Sequence, residues 1–168
     1  SDDDAARFAK VFPGAAVAVM HNIKFDRLRF TPPALQADAQ AATPDFAGLL
    51  APSAPFVVLA SVRKEEEGQV LEMVTGLLAA RPDAIIGLFP RHMQRVCVWE
   101  RLLNESGVPF ALRSAQTPAA PGSVLLWDVF GELGRAFGLA RACFVGGGLA
   151  PLGGQNFLEP LAHGIIPV

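Results

Sequence analysis

Four short runs of this chain are apolar without alternation: residues 56–60, 84–89, 124–127 and 142–145. A strand with one face in water alternates apolar and polar side chains, whereas a strand buried on both faces reads as a continuous apolar run. Between these runs lie segments with helical spacing. Strand and helix in alternation predict an α/β fold, with a mainly parallel sheet of about six strands and helices on both faces.

The helical segments support this. Residues 65–80 place Val70, Leu71, Val74, Leu77 and Leu78 on one face. Glu65, Glu66 and Glu67 crowd its first turn, where they complement the helix dipole and read as a solvated face. A second helix carries Val96, Trp99, Leu102 and Leu103 on one side, and Gly107 is its expected stop. Residues 110–112 read as a strand, 117–122 as a loop, 132–139 and 157–163 as short helices. Residues 15–20 read as a first apolar strand, and the segment after Pro32-Pro33 as a polar helix. Residues 165–168 start one more strand.

At 168 residues the chain is long enough to bury a core as one domain. It is 51% hydrophobic, but no apolar run is long enough to span a bilayer. The start, Ser1-Asp2-Asp3-Asp4, is acidic, unlike a secretory leader. A strand-like end and a helix-like start are expected of an excised piece of a longer protein. A net charge of −2 argues against a nucleic-acid binder. Cys97 and Cys143 read as buried apolar fillers, and His21, His92 and His163 lack metal-ligand spacing. No metal is assigned.

In an open α/β sheet, ligands bind outside the carboxyl ends of the strands. Four segments follow predicted strands and so share that edge. They are Ser61-Val62-Arg63, Pro90-Arg91-His92, Asp128-Val129-Phe130-Gly131-Glu132, and a glycine-rich run from Gly146-Gly147-Gly148 through Asn156 to Glu159. A guanidinium such as that of Arg91 pairs with phosphate oxygens. Glycines let backbone approach a ligand, and free N–H groups there favour an anion. Glu132 and Glu159 are placed to accept from ribose or amide donors. Each residue has a plainer reading: Arg91 as a surface charge, His92 as a helix-start residue, Glu132 as a first-turn carboxylate, Asn156 and Ser61 as caps, the glycines as a turn. The functional reading rests on their sharing one edge. The dinucleotide fingerprint, the P-loop and the GxSxG elbow are all missing.

Asn22-Ile23-Lys24-Phe25-Asp26, Ser61 with Glu66-Glu67, Pro90-Arg91-His92-Met93-Gln94-Arg95 and Asp128-Val129-Phe130-Gly131-Glu132-Leu133 form an ordered series. Phe144-Val145-Gly146-Gly147-Gly148-Leu149 and Gly153-Gly154-Gln155-Asn156-Phe157-Leu158-Glu159-Pro160 continue it. In order and spacing the series resembles the carboxyl-terminal half of the Kdo (3-deoxy-D-manno-octulosonic acid) transferases. That resemblance implies one of two Rossmann-like halves of a GT-B glycosyltransferase. This half would bind the donor CMP-Kdo, without a metal or other cofactor. It implies donor contacts at Ser61, Pro90, Arg91, His92, Phe130, Gly131, Glu132, Gly147, Asn156 and Glu159. The catalytic glutamate, the contacts to the lipid A precursor and a membrane anchor would belong to an amino-terminal half, at the cytoplasmic face of the bacterial inner membrane. The fragment alone would then be soluble and inactive. The chain departs from the family at Val62, Arg63, Met93, Gln94, Val129, Phe130 and Gln155. Two other classes stay open: a GT-B enzyme for a UDP- or GDP-sugar, and a non-enzymatic α/β ligand-binding domain.

Overall fold

The computed structural model describes residues 2–20, 46–151, 153 and 156–168, which fall in two compact units, Ser1–Phe30 and Thr31–Val168. The first unit holds helix α1 (Asp2–Val11), which buries none of its residues. Its three aspartates lie in the first turn and Lys10 in the last, both favourable to the helix dipole. Residues 15–20, expected as a strand, are exposed and form none. An apolar run becomes a strand only where it finds a pairing partner, and here it has none among the described residues. The helix expected after Pro32-Pro33 and the segment from Asn22 to Asp26 lie outside the described residues, as does His21.

The second unit is built on five parallel strands: β1 (Phe56–Val62), β2 (Ile85–Pro90), β3 (Phe110–Leu112), β4 (Ser123–Leu126) and β5 (Ala142–Val145). They pair in the order β3-β4-β2-β1-β5. The sheet has five strands rather than about six, because residues 165–168 contribute only a bridge from Pro167 to Cys143. Helices α2 (Glu67–Ala80), α3 (Val96–Glu105) and α4 (Leu133–Leu139) connect strands, and α5 (Leu158–Ala162) follows β5. Among the described residues, no helix is long and apolar enough to cross a membrane.

The continuous apolar runs are explained by two cores, one on each face of the sheet. On one face, Leu59, Val62, Ile86, Leu88, Val124 and Leu126 pack against Val70 and Val74 of α2 and Trp99 and Leu103 of α3. On the other, Val58, Ala60, Ile85, Leu125 and Trp127 pack against Phe46 and against Ala136 and Phe137 of α4. The fold is the Rossmann-like α/β arrangement read from the sequence. Gly107 ends α3 as expected, in the left-handed region at φ 67°. Cys143 is buried, but Cys97 is exposed on α3, where its Sγ faces the Gln94 carbonyl at 3.4 Å. The helix periodicity that buries Trp99 and Leu103 turns Cys97 outward.

Candidate functional site

The chain runs from β1 to β2, on to the edge strand β3 and back to β4 between them, then crosses to lay β5 on the other side of β1. The reversal makes a switch point at the carboxyl ends of β1 and β5, where open α/β sheets hold ligands. The β1–β2 register shifts between Leu59 and Val62, and Ser61 within that irregularity sits at φ 56°. A residue other than glycine in this region carries backbone strain, which collects at functional sites. Opposite it, the Gly146 N–H donates to the Ala60 carbonyl at 2.8 Å. A Cβ on Gly146 would lie 2.6 Å from the Ser61 carbonyl oxygen and 3.0 Å from Glu66 Oε2. Glycine is therefore required here by close approach.

Glu66 ends the 3-10 turn Lys64–Glu66 and is fully buried. Gly147 donates its N–H to both carboxylate oxygens, at 2.7 and 2.8 Å. Leu149 donates to Oε1 at 2.9 Å and Arg63 to Oε2 at 3.3 Å. Hydrogen bonds of this kind let a carboxylate be buried. Two expectations are corrected. The glutamates are not a solvated face, since Glu66 is buried and Glu67 is 6% exposed and paired with Arg95. Nor are the N–H groups of Gly147 and Leu149 free for an anion, because Glu66 already occupies them.

A cavity of about 140 Å³ opens beside the switch point, at the carboxyl ends of β1, β2 and β4. Six expected residues line it: Ser61, Pro90, Arg91, Phe130, Gly131 and Glu132. Arg91 is exposed, and its backbone N–H is fixed on the Val62 carbonyl at 2.8 Å. Phe130 is 84% exposed, an apolar ring left open to solvent among the described residues. Gly131 turns the loop at φ 86°. Trp127, also on the wall, stacks on Phe89 at 4.2 Å between ring centroids.

Glu132 does not present a bare carboxylate. It accepts from Arg113 Nε and Nη2, at 2.9 Å each, and from Trp127 Nε1 at 2.9 Å. A carboxylate has about four lone-pair positions, so three are filled from within the protein. Arg113, 5% exposed, had no signal in the sequence beyond its position after β3.

The structure leaves four expected residues off this cavity wall. His92 is exposed at the start of the 3-10 turn Met93–Arg95. Gly147 lies at the switch point. Asn156 is not the cap of α5, a position held by Phe157. Instead its Oδ1 accepts from the Leu158 N–H at 3.2 Å and its Nδ2 donates to Glu159 Oε1 at 3.4 Å. Glu159 itself is exposed in the first turn of α5. Ser61 caps no helix, since Arg63 precedes the 3-10 turn. Beyond β5 a larger cavity of about 410 Å³ is lined by Val145, Gly148, Phe157, Leu161, Ile166, Pro167 and Val168. None of these lining residues carries a charged side chain. Beside α5, burial lowers the pKa of His163, against an opposing pull from Glu159.

No family model matches the chain. It is 38% identical over 115 residues to the 3-deoxy-D-manno-octulosonic acid transferase of Bordetella pertussis, covering 66% of this chain and 27% of that one. It is 38% identical over 109 residues to the enzyme of the same name from Haemophilus influenzae, covering 64% and 26%. The chain thus spans about a quarter of the length of these curated relatives. Among solved structures, it resembles the C-terminal CMP-Kdo binding domain of WaaA from Acinetobacter baumannii, with a TM-score of 0.63 and 30% identity. That match covers 68% of this chain and 60% of the other. The resemblance drawn from the motifs therefore stands: over the part of their length that it spans, this chain is similar to the 3-deoxy-D-manno-octulosonic acid transferases in sequence, and it is similar to the CMP-Kdo binding domain of WaaA in fold.

Proposed function

We propose that this chain binds CMP-Kdo and serves as the donor half of a glycosyltransferase that moves Kdo onto a lipid A precursor at the bacterial inner membrane. The observation that carries the reading is the convergence of Ser61, Pro90, Arg91, Phe130, Gly131 and Glu132, from three strand ends, on one cavity. An exposed guanidinium beside a hydroxyl suits a phosphate, and an exposed aromatic ring beside them suits a flat apolar face such as a nucleobase. Similarity to a CMP-Kdo binding domain selects cytidine among the nucleotides. The acceptor contacts, the catalytic glutamate and the membrane anchor are assigned to the length of the relatives that this chain does not span.

The test is a titration of the chain with CMP, UMP and GMP, followed by calorimetry and amide chemical shifts. CMP is expected to bind most tightly, with shifts at Ser61, Arg91 and residues 130–132. Equal responses to the three nucleotides, or none, would overturn the reading in favour of a different glycosyltransferase or a non-enzymatic domain.

A further inference from the structure

The four hydrogen bonds on Glu66 have a consequence for how any ligand meets this edge. A run of glycines after a strand usually offers its N–H groups to an anion. Here that offer is taken by a side chain from the turn after β1. The same carboxylate receives Arg63 N–H two residues after Ser61, so it ties the turn after β1 to the loop after β5. Gly146 is wedged between the Ser61 carbonyl and Glu66, in a space too small for a Cβ. Ser61, in its left-handed conformation, lines the cavity beside Arg91.

We infer that Glu66 is the positioning residue of the donor site: by filling the N–H nest of the glycine loop it excludes the donor's phosphate from that loop and holds Ser61 at the wall that Arg91 shares. The inference rests on the proposed donor function. The phosphate then belongs to Arg91 and Ser61, and the glycine loop is scaffold. Glu66 itself touches no ligand. Its effect passes through the backbone of residues 61–63 on one side and 146–149 on the other. Glu67, the next residue, is a built-in control. It is similarly buried, but its partner is Arg95 on the far side of β2 in sequence, and among the described residues no bond joins it to the glycine loop.

The experiment compares Glu66→Gln, Glu67→Gln and Gly146→Ala in the 168-residue chain. It reads thermal stability, hydrogen exchange at the Gly147 and Leu149 amides, and CMP affinity. Glutamine keeps one acceptor oxygen and turns an NH₂ towards N–H donors. Gly146→Ala leaves Glu66 intact but pushes the loop from it, and so serves if Glu66→Gln does not fold. Expected for both Glu66→Gln and Gly146→Ala are faster exchange at the two loop amides and CMP affinity weakened about tenfold, near 1.4 kcal/mol. Glu67→Gln is expected to lose stability while keeping both loop protection and CMP affinity. Released loop amides with unchanged CMP affinity would overturn the positioning role, and so would an equal loss of affinity in Glu67→Gln. Failure of the unmodified chain to bind CMP would instead overturn the donor reading beneath it, and is distinguished because it appears before any substitution is made.

Discussion

Arg113 and Glu132 meet as a two-pronged ion pair, Nε to Oε2 and Nη2 to Oε1, both at 2.9 Å, with side chains only 6% and 15% exposed. The pair joins the turn after β3 to the residue that caps the start of α4. It therefore fixes the wall of the cavity from behind. Trp127 adds a third bond to Glu132, and the Arg113 guanidinium lies 5.8 Å from the centre of the Phe46 ring.

Removing the arginine leaves a nearly buried carboxylate with the indole N–H as its one donor among the described residues. Breaking a buried pair in this way costs about 3–5 kcal/mol. Arg113→Ala should lower the urea midpoint accordingly and also weaken CMP binding, because Glu132 would no longer be held. Arg113→Ala with unchanged stability would show that water replaces the guanidinium at no cost.

Arg91 should behave in the opposite way. It is exposed, so Arg91→Ala should leave the melting temperature unchanged. A charge-assisted bond to a phosphate contributes about 1.5–3 kcal/mol, so CMP affinity should fall by about one to two orders of magnitude. Glu159→Gln, off the cavity wall, should lose less. A calorimetric comparison of the two variants with the unmodified chain decides it.

Much of this arrangement was legible in the residues, and the exceptions have physical causes. The four apolar runs became strands because both faces of the sheet are covered. Residues 15–20 look much like them in composition but find no partner among the described residues, and pairing is a tertiary property that composition does not carry. Ser61, Pro90, Arg91, Phe130, Gly131 and Glu132 were found by position after strands, since a parallel sheet brings those ends together. From the sequence alone Glu66 reads as solvated, because charge runs usually are. Its spacing held the missed signal: Glu66, Val70 and Val74 recur every four residues, so the buried face of α2 extends back through the glutamate. Nothing local to Arg113 told of Glu132, nineteen residues further along the chain.

Packing predicts a third outcome. Gly87 lies in the middle of β2, where a Cβ would approach Phe56 Cζ to 2.6 Å and Cε2 to 2.9 Å. Phe56 is 3% exposed and its ring has little room to move. Overpacking of this kind costs about 1–3 kcal/mol. Gly87→Ala should lower the melting temperature, and Gly87→Ala with Phe56→Leu should recover part of the loss. A full-strength Gly87→Ala would mean that the ring shifts freely.

The last prediction concerns acid. His163 ends α5, with its Nδ1 buried and without a hydrogen-bond partner among the described residues. Burial lowers its pKa below the ordinary 6.5, and the nearby Glu159 only partly opposes this. The folded state therefore binds a proton less readily than the unfolded chain does. Between the lowered folded value and 6.5 the unfolded state carries more protons, so stability rises with pH across that window. The contribution is fully present above 6.5 and is lost as the pH falls through the folded value. Melts at pH 7.5 and 5.5 should show lower stability in acid, and His163→Gln, which cannot take a proton, should flatten that part of the profile. Glu159→Gln removes the opposing charge, so the folded pKa of His163 should fall further and the acid loss should deepen. An unchanged slope in His163→Gln would assign the acid sensitivity to carboxylates instead, and would leave the half-buried imidazole without a part in it.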